Sequence, residues 1–168
     1  MSIDHIKTIS LNPFYAAKIL QCFLVGYGRA IDYKTLFYVL PIIMYKESRD
    51  KLSVANRNSR IDTIFGGKEV YNNDHNLKLS KKINLAGFVD RFNALNHLTK
   101  QAIIVLVNEE KIQVNNNIQL LKKESYSNYT NDIRQTLKAA YYLGNIFSKC
   151  QMDYLDDFLG VNLTCKAI

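Results

Sequence analysis

Apolar side chains recur at helical spacing along most of this chain, and that pattern decides its fold class. The segment 12–28 is the clearest example. Asn12 can accept a hydrogen bond from a free N–H of the first helical turn, and Pro13 needs no such bond there. Apolar residues follow at intervals of three and four, and Gly28 can take the left-handed conformation that ends a helix. The sequence therefore predicts a helix between Asn12 and Gly28.

The stretch 32–55 predicts two further helices that are separated at a proline. Asp32 can cap the first of them. Pro41 cannot donate a backbone hydrogen bond, so we expect this helix to end or kink near Leu40. Ser48 is a suitable N-cap for a short second helix, which Leu52 would anchor in the core. The charged residues beside Ser48 would then face solvent or a partner.

The remaining helix boundaries are predicted from polar caps and from glycine. A polar, Asn-rich stretch at 68–80 has no apolar periodicity and is predicted to be a loop. The predicted helix starts are Ser59, Ser80, Thr99, Asn128 or Thr130, and Asp153, and the predicted stops are Gly66 and Gly160.

One segment alternates as a strand does. In KIQVNNNIQLL, apolar Ile112 and Val114 alternate with polar residues, and Ile118 and Leu120 do so again after three asparagines. This pattern predicts a β-hairpin. We expect a mainly α fold: a compact helical domain with one short β-hairpin, in a winged-helix-like arrangement whose wing is not assigned. A single domain over 1–168 would comprise helical parts at 12–66 and 128–161 and a helix-hairpin part at 80–122.

The chain is basic, with 22 Lys and Arg against 15 Asp and Glu. A net charge of +7 fits contact with nucleic acid or with an acidic partner. The excess of Lys, Asn and Ile is also what an AT-rich genome produces, whatever the protein binds. The candidate contacts are Arg49, Arg57, Arg60, Lys81 and Lys82. These side chains could equally form a solvated face, or pair with Asp50 or Asp62.

Catalytic motifs are absent from the sequence. Gly67-Lys68 resembles part of a phosphate-binding loop, but Asp62 stands where the first glycine is needed and Glu69 where the hydroxyl is needed. The three histidines lie beside no nucleophile motif. Carboxylates occur in pairs without a metal-binding spacing. We therefore expect no catalytic residue, no metal and no cofactor.

Cysteine spacing and hydropathy bear on the compartment. Cys22, Cys150 and Cys165 are too far apart for a zinc motif and are odd in number, which favours a reducing cytoplasm. The N-terminus lacks the apolar core of a signal peptide, and the longest apolar stretch, 36–45, is too short to span a bilayer. We expect a soluble, cytoplasmic protein without a membrane partner.

Three stretches resemble a known family: LNPFYAAKILQCFLVGY (11–27), LFYVLPIIMYKESRDKL (36–52) and YYLGNIFSKCQMDYLDDFLGV (141–161). In this order they are similar to the middle component of prokaryotic three-component ABC-type (Lamassu-type) anti-phage defence systems. The matching positions are Asn12-Pro13, Gly26-Tyr27, Leu40-Pro41, Ser48, Arg49, Leu52, Leu143-Gly144, Phe147 and Leu159-Gly160-Val161.

The resemblance implies a small accessory subunit without enzymatic activity of its own. It would bridge an SMC/Rad50-like coiled-coil ATPase and an effector subunit, commonly a nuclease, and would reach DNA through the complex. Two other functions stay open. A stand-alone winged-helix DNA-binding transcription regulator would fit the basic charge and the hairpin. A small-molecule enzyme is supported only by the paired carboxylates.

Overall fold

A computed structural model describes residues 11–66, 70–71, 78–79 and 83–161. Its helices are α1 (Pro13–Tyr27), α2 (Tyr33–Leu36), α3 (Val39–Ile43), α4 (Lys46–Ser53), α5 (Ile61–Ile64), α6 (Phe88–Asn108), α7 (Asn131–Phe147) and α8 (Met152–Leu159). Its strands are β1 (Val70–Tyr71), β2 (Lys78–Leu79), β3 (Ile112–Val114) and β4 (Ile118–Leu120). Short 3-10 helices lie at Ile83–Leu85 and Tyr126–Asn128. The predicted mainly α fold is confirmed. Among the described helices, none has both the length and the apolar content that a membrane crossing requires.

Several predicted helix ends are confirmed by their caps. The Phe14 N–H donates to Asn12 Oδ1 over 2.8 Å, and the Lys34 N–H donates to Asp32 Oδ1 over 2.7 Å. Gly28, at φ +77°, ends α1, and Gly160, at φ +73°, ends α8. Local sequence is sufficient here because each cap bonds within its own helical turn.

The predicted break at Pro41 is wrong in position. The break lies at Phe37–Tyr38, where the backbone stays in the right-handed helical region but bonds to carbonyls three residues earlier. Pro41 lies in the first turn of α3, where its missing N–H is not needed. Ser48 is not an N-cap. The helix α4 begins at Lys46, and the buried Ser48 hydroxyl donates to the Asn84 carbonyl in the segment before α6.

The two helices predicted from Ser80 and Thr99 form one helix. It begins after Gly87, and Thr99 lies buried within it, donating from Oγ1 to the Leu95 carbonyl over 3.0 Å. A threonine hydroxyl that bonds the carbonyl four residues earlier is compatible with a continuous helix. The start of α8 is also displaced: its N-cap is Gln151 and not Asp153.

The Asn-rich stretch is not entirely a loop. Within 68–80, the backbones of β1 and β2 pair in antiparallel fashion, with Val70 opposite Leu79. The predicted hairpin at 112–120 is confirmed, with Val114 opposite Ile118 at its turn. Ile31, between α1 and α2, adds to this hairpin through two backbone hydrogen bonds with Ile118 of 3.0 and 2.8 Å.

The core is centred on α1, which crosses α7 closely and packs on its other side against α6. Gly26 and Gly144 lie at the crossing of α1 and α7. A Cβ at Gly26 would come within 1.9 Å of the Tyr141 carbonyl oxygen, and one at Gly144 within 2.1 Å of the Phe23 carbonyl oxygen. Each glycine therefore admits the backbone of the opposite helix.

The segment between β4 and α7 is connected to α1 by an ion pair. Lys18 Nζ lies 2.7 Å from Glu124 Oε2, and the Tyr129 hydroxyl donates to the same carboxylate. Burial acts against the charged form of Glu124, but the hydrogen bonds from Lys18 and Tyr129 outweigh it and lower the pKa of Glu124. One turn along α1, the Gln21 amide donates to the Lys122 carbonyl over 2.9 Å.

The lowered pKa of Glu124 predicts a pH-dependent contribution to stability. A carboxyl whose pKa is lower in the folded state stabilises the fold above its unfolded pKa and loses this effect as pH falls through the folded pKa. We expect Glu124→Gln to lower the free energy of unfolding by about 1 kcal/mol at pH 7. Wild type and variant should converge as pH falls below the ordinary glutamate range, in urea titrations at several pH values. The exposed Glu110 supplies the control, Glu110→Gln; a Glu124→Gln deficit independent of pH would contradict the assignment.

Candidate functional site

Two of the predicted cations lie on the loop between α4 and α5, residues 54–60, which we call the basic loop. Arg57 and Arg60 are both exposed on it. Val54, at its start, is 76% exposed. Lys51 is exposed in the last turn of α4, directly before the loop. Cationic and apolar side chains are thus presented together on a short surface segment.

The backbone of the basic loop is held in one conformation by its own polar groups. The Asn56 N–H donates to Ser59 Oγ over 3.0 Å, and the Ser59 N–H returns to the Asn56 carbonyl over 3.1 Å. The Asn58 N–H donates to Asn56 Oδ1 over 2.8 Å. At the end of the loop, the Arg60 N–H donates to Thr63 Oγ1 over 3.0 Å. These bonds fold the loop into consecutive tight turns.

Lys149, which follows α7, holds the basic loop in place through hydrogen bonds to its backbone. Its Nζ donates to the Ser59 carbonyl over 3.0 Å and also to the Arg57 carbonyl. A protonated amine is well suited to bind two backbone carbonyls at once. Sequence reasoning missed Lys149 because 90 residues separate it from Ser59 and no local pattern indicates the contact.

A cleft of about 350 Å³ lies beside the basic loop, between α5 and the junction of α7 and α8. It is lined by Arg60, Ile61, Asp62, Ile146, Lys149, Cys150, Gln151 and Tyr154. The Tyr154 hydroxyl donates to Asp62 Oδ1 over 2.5 Å. This hydrogen bond, with some burial, raises the pKa of Tyr154 to about 12. Burial likewise raises the pKa of the Cys150 thiol, so neither group is activated as a nucleophile or base.

Arg49 lies elsewhere and contacts the fold itself. Its guanidinium is half-buried, and Nη1 donates to the Ile43 carbonyl at the end of α3 over 3.0 Å. Lys81 and Lys82, the other two predicted contacts, lie outside the described residues. The structure therefore brings Arg57 and Arg60 together on one loop and places Arg49 apart from them.

The contact of Arg49 predicts a stability effect. Arg49→Ala should lower the free energy of unfolding by about 1 kcal/mol, since it leaves the Ile43 carbonyl without this donor. Arg57→Ala, at an exposed position, should change it by less than about 0.5 kcal/mol. Thermal unfolding of both variants tests this. An unchanged midpoint for Arg49→Ala would instead point to a role in binding a partner.

Two of the carboxylates that occur in pairs in the sequence have structural partners. Glu109 pairs with Lys111 over 2.6 Å, and the buried Asp156 pairs with Lys34 over 2.5 Å. The hydroxyl of buried Tyr38 also donates to Asp156. In the described part of the chain, no three His, Cys, Asp or Glu side chains come together as metal ligands would.

A comparison with known protein families identifies the family to which this chain belongs. Residues 1–163 match the family described as ABC-three component (ABC-3C) system Middle Component 3. The chain belongs to the Middle Component 3 family. As such it is an accessory component of an anti-phage system of the ABC-three-component type. No curated protein and no solved structure matches it.

The residues that carry the resemblance to middle components have structural roles in this Middle Component 3 chain. Gly26 and Gly144 form the close helix crossing, Ser48 connects α4 to the segment before α6, and Arg49 connects α4 to α3. Leu52 is fully buried. The basic loop contributes none of these residues, so the residues of the motif account for the fold and lie outside the candidate site.

Proposed function

We propose that this Middle Component 3 chain is a non-enzymatic accessory subunit that bridges an SMC/Rad50-like ATPase and an effector nuclease. The family match over residues 1–163 carries the proposal, because a middle component works with the other components of its system. In the cytoplasm, the subunit holds the effector inactive on the ATPase. Engagement of invading DNA by the complex then rearranges the assembly and releases the effector.

The placement of polar groups supports a binding role. Asp156, Glu124, Arg49 and Ser48 have their side chains directed to partners inside the fold. The exposed features are of the kind that bind proteins: the basic loop, and apolar side chains on α6. Ile104 is 58% exposed and Val107 43% exposed on one face of that helix. Exposed apolar side chains three residues apart suit a protein contact.

Co-expression with the other two components of the system tests this function. The tagged chain should retain both the ATPase and the effector through an affinity column and gel filtration. The isolated chain should leave DNA uncut under conditions in which the complete complex cleaves it. A chain that elutes alone after co-expression with both components would contradict the bridging role.

A stand-alone DNA-binding regulator is the second candidate, favoured by one observation. The backbone pairing of Ile31 with Ile118 adds a single-residue bridge to the hairpin, in the place that a third strand takes in winged-helix modules. The helix before the hairpin, α6, would then enter the major groove. However, its exposed charged residues are only Asp90 and Lys100, so it offers few phosphate contacts.

The salt dependence of DNA binding separates the two functions. A stand-alone regulator should bind duplex DNA with an affinity that falls steeply as salt rises. We expect the isolated chain to show no such binding at low salt. Tight, salt-dependent binding by the chain alone would favour the regulator.

A further inference from the structure

The surface around the basic loop carries positive charge that the fold does not neutralise. Within the described part of the chain, Lys51, Arg57 and Arg60 form no ion pair and no side-chain hydrogen bond. Among the neighbouring acids, Asp50 pairs with Lys46 over 2.5 Å, Asp62 accepts the Tyr154 hydroxyl, and Glu47, one turn before Lys51, is exposed. Three adjacent cations are therefore available to a partner.

These cations stand on a segment that is already ordered. The turns of Asn56 and Ser59, and the two carbonyl contacts of Lys149, hold the loop backbone in place. A partner that binds here loses little loop-ordering entropy, which is one of the main costs of association. Arg57 and Arg60 are both exposed to solvent on this loop.

The chemistry of the surface favours a protein over a nucleic acid. Val54 lies among the cations and, at 76% exposure, is the most exposed large apolar side chain in the described residues. Arginine is enriched in protein interfaces, and an exposed apolar side chain beside it gains free energy when a partner covers it. Duplex phosphates would also approach Asp62 in the cleft and the exposed Asp153 in the first turn of α8. Those carboxylates interrupt the positive surface that a continuous polyanion needs, whereas a single carboxylate needs only the side of the cleft formed by Arg60 and Lys149.

The cleft gives such an acidic side chain a place to bind. Arg60 and Lys149 lie on its walls, and the Gln151 side chain, exposed at the start of α8, supplies an amide donor. A carboxylate can accept from a guanidinium in a bidentate manner, which orients it as well as holding it. The volume of about 350 Å³ accommodates one or two side chains and not a whole element of structure.

We infer that Lys51, Val54, Arg57 and Arg60, with the cleft beside them, form the docking surface for an acidic segment of a partner subunit. This inference rests on the proposed bridging function and names the surface that function uses. The acidic segment lies across the basic loop, contacts Val54 with an apolar side chain, and places a carboxylate in the cleft beside Arg60. The docking surface does no chemistry and contributes binding energy and orientation.

A double charge reversal tests the inference in the co-expressed complex. Arg57→Glu with Arg60→Glu should weaken retention of one partner subunit at least tenfold, and raised salt should weaken the wild-type contact. The matched control is Lys123→Glu with Arg134→Glu, which changes the net charge equally at exposed positions before α7 and on it. Arg134 lies about 20 Å along α7 from Phe147, the last residue of that helix before Lys149, at 1.5 Å per residue. The control should retain both subunits, and both variants should keep the wild-type thermal midpoint.

The possible failures are distinguishable. If the wild-type chain retains neither subunit, the bridging function itself is wrong. If it retains both and the Arg57→Glu, Arg60→Glu variant does so equally well, the bridging function stands and the docking surface is wrong. A third outcome is that the variant complex keeps both subunits, while the isolated variant chain loses the binding to a duplex DNA probe that the isolated wild-type chain shows. The surface then contacts nucleic acid, which also overturns the inference.

Discussion

Gly144→Ala is expected to destabilise the chain by about 3 kcal/mol, near the upper end of what added methyl groups in packed interiors cost. The new Cβ would lie 2.1 Å from the Phe23 carbonyl oxygen and 2.7 Å from the Tyr27 nitrogen. Both atoms belong to the backbone of α1 and cannot rotate away, so the two helices must separate. Alanine favours a helix by about 1 kcal/mol over glycine, which is too little to compensate.

Urea unfolding measures this effect, and Gly28→Ala provides the control. Gly28 has φ +77°, and a Cβ added to it would have no neighbouring atom within 4 Å. Gly28→Ala therefore adds backbone strain without crowding and should cost about 1 kcal/mol. Gly26→Ala should resemble Gly144→Ala, and the double variant should cost less than the sum, because one separation of the helices relieves both clashes. A Gly144→Ala chain as stable as wild type would contradict the close crossing.

Asp156→Ala is expected to destabilise the chain by about 3 kcal/mol, because it removes a buried carboxylate that pairs with the partly exposed Lys34 and accepts a buried hydroxyl. Asp156 is 6% exposed and connects α8 to the α2–α3 segment. Its carboxylate lies 2.5 Å from Lys34 Nζ and accepts the hydroxyl of Tyr38, which is fully buried. Without Asp156, this hydroxyl loses its acceptor and remains inside the core.

The matched control for Asp156 is Asp153, one turn earlier on α8 and exposed to solvent. Asp153→Ala should change the free energy of unfolding by less than about 0.5 kcal/mol. Both variants can be followed by thermal or urea unfolding. If Asp156→Ala and Asp153→Ala lower the free energy of unfolding equally, the connection between α8 and the α2–α3 segment does not stabilise the fold.

Features that depend on a single helical turn could be predicted from the sequence. Asn12, Asp32 and Gly28 act within one turn of themselves, and so their neighbours specify them. Ser48 and Thr99 were misassigned because a hydroxyl that can cap a helix can also bond inside one. The choice depends on a carbonyl that is distant in sequence, or on whether the helix continues.

The same distinction between local and long-range features applies to the residues of the candidate site. Arg57 and Arg60 could be selected from charge alone, since both lie in a short basic segment. Lys149 could not, because its contact with the loop at Ser59 spans 90 residues. The structural role of Gly26 and Gly144 could not be predicted either. Both belong to the stretches that resemble middle components, but only the crossing of α1 and α7 shows that they oppose each other.

The central claim is that this Middle Component 3 chain connects the other two components of its system. Omission tests it most directly: the proposed ATPase is purified by a tag after co-expression with the proposed effector, with and without this chain. The account predicts that the effector accompanies the ATPase only when the chain is present. An effector that remains bound to the ATPase equally well in its absence would contradict the account.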